Sequence, residues 1–252
     1  MNIKGGKPFS GRALGEICKV AVPSVLQQSF ISVGNLFIQY MVNGYGSSIV
    51  AGYSAAIKLN TFAITCFTTI GNGMSSFTAQ NIGADKPERI RKGFRSSLFF
   101  SLGTAAVFFL LFFILSEPLL SLFMNGDSSR LAMDTGVDFL RIASPFYFIV
   151  CIKLLCDGVL RGSEAMGCFM AATFTDLILR VVLAAIFSNT MGEVRGIWLS
   201  WPGAWIAGTI MSVIFYLTGM WSRKLRKTPI AKTVEESLED IFEESPAEES
   251  EE

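Results

Sequence analysis

The chain has 252 residues, of which 51% are hydrophobic and 17% charged, and its formal net charge is zero. Soluble domains carry about 25% charged residues, so this balance argues against an ordinary soluble enzyme, and the absence of net charge excludes a global field that would recruit nucleic acid. The sequence contains no His, which removes the commonest metal ligand and the side chain that titrates nearest neutral pH.

Residues 1–16 form a polar N-terminal segment with Lys4, Lys7 and Arg12, and no signal-peptide cleavage pattern follows it. Six stretches then reach the roughly 20 mostly apolar residues that a spanning helix needs. They cover 17–42, 49–80, 94–115, 137–160, 165–187 and 196–221. The expected fold class is an all-α integral membrane protein, with 17–221 as one six-helix transmembrane lobe. Between the third and fourth spans, Asp127 and Ser128 are placed to cap a helix starting near Ser129, and Pro145 is expected to bend the fourth span early. Residues 222–252 make a tail that is first basic and then acidic. Its acidic part is too polar to bury a core, and disorder is expected there.

Lys and Arg in the short connections set orientation. Lys4, Lys7, Arg12 and Lys19 precede the first span, Lys86, Arg89, Arg91, Lys92 and Arg95 follow the second, and Arg223, Lys224, Arg226 and Lys227 follow the sixth. The turn after the first span, residues 43–48, has no charge. Alternation of basic and non-basic connections predicts both termini in the cytoplasm of a multi-pass cell-membrane protein. Trp198, Trp201 and Trp221 lie near the ends of the last span, where an aromatic belt is expected. The five cysteines, Cys18, Cys66, Cys151, Cys156 and Cys168, form no CxxC pair and read as small hydrophobes.

Polar residues recur at helical spacing on two spans. The first carries Ser24, Gln28, Ser32, Asn35, Gln39 and Asn43, with Gln27 beside them; the second carries Ser54, Lys58, Thr61, Thr65, Thr68, Asn72, Ser76 and Gln80. Steps of three and four put each set on one helix face. Hydrocarbon offers such groups no hydrogen-bond partner, so the stripes must meet neighbouring helices or a wet cavity. Gln28, Asn35, Gln39, Asn43, Lys58 and Asn72 are the candidate cavity residues. Gly71-Asn72-Gly73 is either a hinge or a place of close backbone packing. Lys153 with Asp157, and Asp176 with Arg180, are opposite charges one turn apart. Such pairs either neutralise each other structurally or take part in ion coupling and substrate binding. No phosphate loop, metal motif or His-activated nucleophile is present, so no enzyme activity and no cofactor are expected.

Longer motifs carry a resemblance. Val22-Pro23-Ser24-Val25-Leu26-Gln27-Gln28-Ser29, continued by Gly34-Asn35, Gln39 and Val42-Asn43-Gly44-Tyr45-Gly46, resembles the seventh helix of multidrug and toxic compound extrusion (MATE) transporters. Ala51-Gly52-Tyr53-Ser54-Ala55-Ala56-Ile57-Lys58 resembles the start of their eighth helix, and Ala79-Gln80-Asn81-Ile82-Gly83-Ala84 their following basic loop. Ser144-Pro145-Phe146-Tyr147 and Gly158-Val159-Leu160-Arg161-Gly162 resemble their tenth helix and its turn. The resemblance covers about residues 12–227 and implies the C-terminal six-helix lobe of a twelve-helix antiporter. It implies efflux of amphipathic, often cationic drugs or toxic metabolites, coupled to Na+ or H+. The implied partners are the lipid bilayer, a small-molecule substrate and a second six-helix lobe, either a separate N-terminal half or a second copy. Ile31 and Val150 occupy the positions where some sodium-coupled members carry cation-binding carboxylates. Two alternatives stay open. One is a flippase-like transporter of lipid-linked precursors, with Lys58 and Lys153 as its basic cavity residues. The other is a non-transporting fragment or structural membrane subunit.

Overall fold

The structure, a computed structural model, describes residues 11–124 and 129–222. The proposed caps Asp127 and Ser128, most of the N-terminal segment and nearly all of the tail lie outside the described residues. In chain order the helices are α1 (Gly11–Asn43), α2 (Ser47–Gly83), α3 (Pro87–Ile114), the short α4 (Ser116–Ser121), α5 (Arg130–Ala143), α6 (Tyr147–Gly162), α7 (Met166–Met191) and α8 (Arg195–Leu217). Among the described residues, six segments are long and apolar enough to cross a membrane, with α5 and α6 together making the fourth. The chain is therefore a multi-pass membrane protein with an all-helical fold, as its hydropathy predicts.

Local chemistry explains most boundaries. Glycine at position 46 has φ +101°, a conformation that a side chain would strain, and this lets α1 reverse into α2 in three residues. Pro87 opens α3 at its first turn beside Glu88. As a result Arg89, Arg91, Lys92 and Arg95, expected in a connection, sit on the first turns of α3. Ser129 caps α5, its Oγ accepting the Ala132 N–H at 3.3 Å. Pro145 falls in a 3-10 turn, Ser144–Phe146, between α5 and α6. Proline cannot supply the amide that an unbroken helix needs, so the α-helix of the fourth span is interrupted there.

Packing is densest along two seams. α7 lies along α8, and α2 lies against α5 and α6. Glycines set the second seam. A Cβ at Gly71 would overlap the Leu154 carbonyl, one at Gly158 the Gly71 carbonyl, and one at Gly162 the Ser75 carbonyl. Small residues of this kind let membrane helices touch backbone to backbone. α2 runs through Gly71-Asn72-Gly73 without interruption, so close packing, not a break, accounts for Gly71.

Two apolar clusters fill the bundle. Near the α1–α2 turn, Tyr53 stacks on Trp198 with ring centroids 4.9 Å apart, and Phe139 meets both rings edge-on. Near the α2–α3 turn, Ile90, Phe94, Leu160 and Trp221 form a second cluster. Trp198, Trp201 and Trp221 are all buried. They belong to the core instead of an interfacial belt: α8, which carries Trp198 and Trp201, is flanked by α5, α6 and α7, and Trp221, in the turn after it, stacks on Tyr216. All five cysteines are free thiols, and only Cys18 is exposed.

Candidate functional site

α1 packs on α7 and only weakly on α2. At the α7 contact, a Cβ on Gly34 would overlap the Leu177 side chain. This arrangement leaves a cleft of about 470 Å³ walled by α1, α2, α6, α7 and α8. Its polar lining begins with Gln27, Gln28 and Asn35 on α1 and Asn60, Thr61, Thr65, Thr68, Thr69 and Asn72 on α2. Ile31, Ile57, Ile64, Leu154, Leu177, Phe169, Trp201 and Trp205 supply apolar and aromatic wall.

Most of the threonine hydroxyls are internally satisfied. Thr65, Thr68 and Thr69 each donate to the carbonyl four residues back, at 2.8 Å. Such back-bonding is how Ser and Thr sit in spanning helices without an unpaired group. The amides have freer valences. Gln27 Nε2 donates to Thr173 Oγ1 at 3.2 Å, which ties α1 to α7 across the cleft. Asn60 Oδ1 accepts the buried Tyr147 hydroxyl at 2.9 Å.

Five charged side chains also line the cleft: Lys153, Asp157 and Arg161 on α6, and Asp176 and Arg180 on α7. Lys153 Nζ meets Asp157 Oδ2 at 2.7 Å, and the Ser212 hydroxyl donates to Asp157 Oδ1 at 2.6 Å. Arg180 meets Asp176 Oδ2 at 3.1 Å and lays its guanidinium over Trp201, 4.5 Å from the ring centroid. These four groups are 4–8% exposed. Lys153 and Asp176, one from each pair, meet at Gly208 of α8, where a Cβ would overlap Lys153 and crowd Asp176. Burial of such charges is tolerated only with pairing and hydrogen bonds. The α6 pair has both. The α7 pair is less complete, since Asp176 Oδ1 and Arg180 Nε are buried without a partner.

Arg161 differs from the other four. It is half-buried at the C-terminal end of α6 and donates to Asn72 Oδ1 on α2. Its guanidinium lies 5.5 Å from the centre of the Phe169 ring.

Sequence-predicted residues divide between the cleft and its surroundings. Gln28, Asn35, Asn72, Lys153, Asp157, Asp176 and Arg180 are on the wall. Gln39 and Asn43 lie beyond it towards the α1–α2 turn and bond each other at 2.9 Å. Lys58 is exposed on α2 and does not reach the lining. Sequence reasoning missed Arg161, Asn60, Phe169, Thr173, Trp201 and Trp205 as wall residues. For Arg161 the signal was available, since it continues the stripe Lys153, Asp157 by another step of four. Ile31 and Val150, where the resemblance implied lost carboxylates, both face the cleft.

The described residues thus form a six-span bundle with a polar, charged cleft between its helices. Residues 23–186 match the MatE family, and the chain belongs to that family. It is 24% identical over 206 residues to the probable multidrug resistance protein YpnP of Bacillus subtilis, covering 81% of this chain and 45% of that protein. It is 26% identical over 201 residues to the FAD transporter of Shewanella oneidensis, covering 80% and 43%. Among solved structures, a mutant of the Vibrio cholerae MATE transporter VcmN superposes with a TM-score of 0.79 at 15% identity, over 90% of this chain and 51% of that one. An outward-facing MATE transporter of the MOP superfamily gives 0.72 at 22% identity, over 79% and 44%. The chain thus spans about half the length of the relatives it matches.

Proposed function

We propose that this chain forms one lobe of a secondary-active efflux transporter, with both termini in the cytoplasm. It exports amphipathic organic compounds in antiport with Na+ or H+. The observation that carries this reading is the cleft: amide, hydroxyl and charged groups gathered with aromatic wall inside a bundle whose outer faces are apolar. Two relatives carry multidrug resistance and FAD transport in their names, and both support a transport role.

A second six-helix lobe completes the pathway, supplied by a separate N-terminal half or by a second copy. α1 fits this reading, because it is the least covered of the described spans and packs mainly on α7. Transport then follows from two lobes rocking about a central site. Within this lobe, Lys153, Asp157, Asp176 and Arg180 are the ionisable candidates for coupling, since Ile31 and Val150 offer no carboxylate.

Dye efflux from proteoliposomes tests the reading, using this chain alone and together with a separately expressed N-terminal lobe. Ion-gradient-dependent efflux is expected in at least one arm. Its absence from both would overturn the proposal.

A further inference from the structure

The charge on the cleft wall is not balanced. Among the described residues, three cations, Lys153, Arg161 and Arg180, face two carboxylates, Asp157 and Asp176. Both carboxylates are engaged. Asp157 accepts from Lys153 and Ser212, and Asp176 accepts from Arg180. Asp176 Oδ1 has no partner but is itself buried, so among the described residues a cationic solute meets no exposed, unengaged carboxylate oxygen on this wall. The surplus charge resides on Arg161, whose hydrogen-bond partner is the neutral amide of Asn72.

A guanidinium has five N–H donors in a planar fork that matches oxyacid anions. With one donor used on Asn72, Arg161 retains donors for a ligand. Phe169 and the Ile31, Ile64 and Leu177 side chains supply an apolar surface in the same cleft.

We propose that this lobe selects amphipathic anions. The solute has an aromatic or aliphatic body and one carboxylate, sulfonate or phosphate group, and Arg161 holds the anionic end. The inference rests on reading the cleft as the substrate path. It departs from the cationic preference that the family resemblance implied.

A matched pair of probes tests it: 1-pyrenesulfonate and 1-pyrenemethylammonium, which share a body and differ in the sign of the headgroup. Binding to the full chain in nanodiscs of zwitterionic lipid is read by energy transfer from tryptophan to pyrene, with empty nanodiscs as the partition control. The sulfonate is expected to bind about tenfold more tightly, equivalent to about 1.4 kcal/mol. Arg161→Gln is expected to remove most of that preference by weakening the sulfonate alone, and Arg161→Lys to retain part of it. Arg161 is half-buried at a helix end, so these variants keep the bundle intact. Equal or tighter binding of the ammonium would overturn the anion inference and leave the cleft as a binding site. An unchanged preference in Arg161→Gln would overturn the role of Arg161. Saturable binding of neither probe would overturn the inference and the proposed substrate path together.

Discussion

Lys153 and Asp157 lie one turn apart on α6, as Asp176 and Arg180 do on α7, and both pairs are buried. Their energetics are set by what each charge would face alone. Removing one member of a buried pair leaves an uncompensated charge, at a cost of about 3–5 kcal/mol. Replacing both by apolar groups of similar size is often neutral. Asp157→Asn should therefore destabilise the lobe strongly, and Lys153→Met combined with Asp157→Leu should recover most of the loss. Ser212→Ala, which removes one hydrogen bond to a charged group, should cost about 1.5–3 kcal/mol. The buried thiols of Cys151 and Cys156 offer a direct readout. Their labelling by a thiol-reactive dye during heating in detergent reports unfolding. Equal stability of Asp157→Asn and the double variant would refute the pairing argument. The pairs themselves were legible in the sequence, because opposite charges four residues apart in an apolar run have few other solutions. The meeting of Lys153 and Asp176 at Gly208 was not, because nothing local to α6 or α7 specifies which helix crosses them.

Helices carry the next level of the argument, and α2 shows it best. By its rise of about 1.5 Å per residue, its 37 residues exceed the ~30 Å hydrocarbon core. Length alone does not say which face packs. Glycine positions do: a Cβ at Gly158 would overlap the backbone of Gly71, whereas one at Gly73 meets nothing. Gly158→Ala should push α2 and α6 apart and cost about 1–3 kcal/mol, the usual range for overpacking. Gly73→Ala should be neutral or stabilising by up to about 1 kcal/mol, from helix propensity alone. Comparing midpoints of thermal unfolding for the two variants separates the effects, and similar losses at both sites would contradict the seam. At this scale hydropathy revealed the number of spans but not their surroundings. The tryptophans of α8 were read as interfacial from their places near helix ends. In three dimensions α8 leaves Ile206, Ile210 and Ile214 on its outer face and turns Trp198, Trp201 and Trp205 inward against Phe139 and Tyr147. The polar stripe of α1 divides in the same way. Gln28 and Asn35 face the cleft, while Gln39 and Asn43 extend past the point where α7 bounds it. Periodicity reports a face, and neighbours decide what that face meets.

For the whole molecule, the distribution of charge along the membrane normal bears on how the lobe is inserted. One end of the bundle carries Lys86, Arg89, Arg91, Lys92 and Arg95 around the α2–α3 turn, with Arg161 at the end of α6. The other end carries the uncharged α1–α2 turn and a set of paired charges. There Arg130 bridges Glu117 at 3.3 Å and Asp134 at 3.1 Å, and Arg195 bridges Asp138 at 2.7 Å. Basic residues in short connections are retained on the cytoplasmic side, so the α2–α3 turn should lie inside and the α1–α2 turn outside. Single cysteines test this, placed in a variant whose Cys18, Cys66, Cys151, Cys156 and Cys168 are all replaced. Ser47 and Ala84 are both exposed at their respective turns. In intact cells a membrane-impermeant maleimide should label Ser47→Cys, and it should label Ala84→Cys only after permeabilisation. The opposite pattern would invert the lobe and place Arg161 at the outer mouth of the cleft. That single difference changes what the cleft can do, because an anion held by Arg161 is then met first from outside. With the expected labelling, Arg161 stands at the cytoplasmic entrance, where an exporter must capture its substrate before the lobes rock.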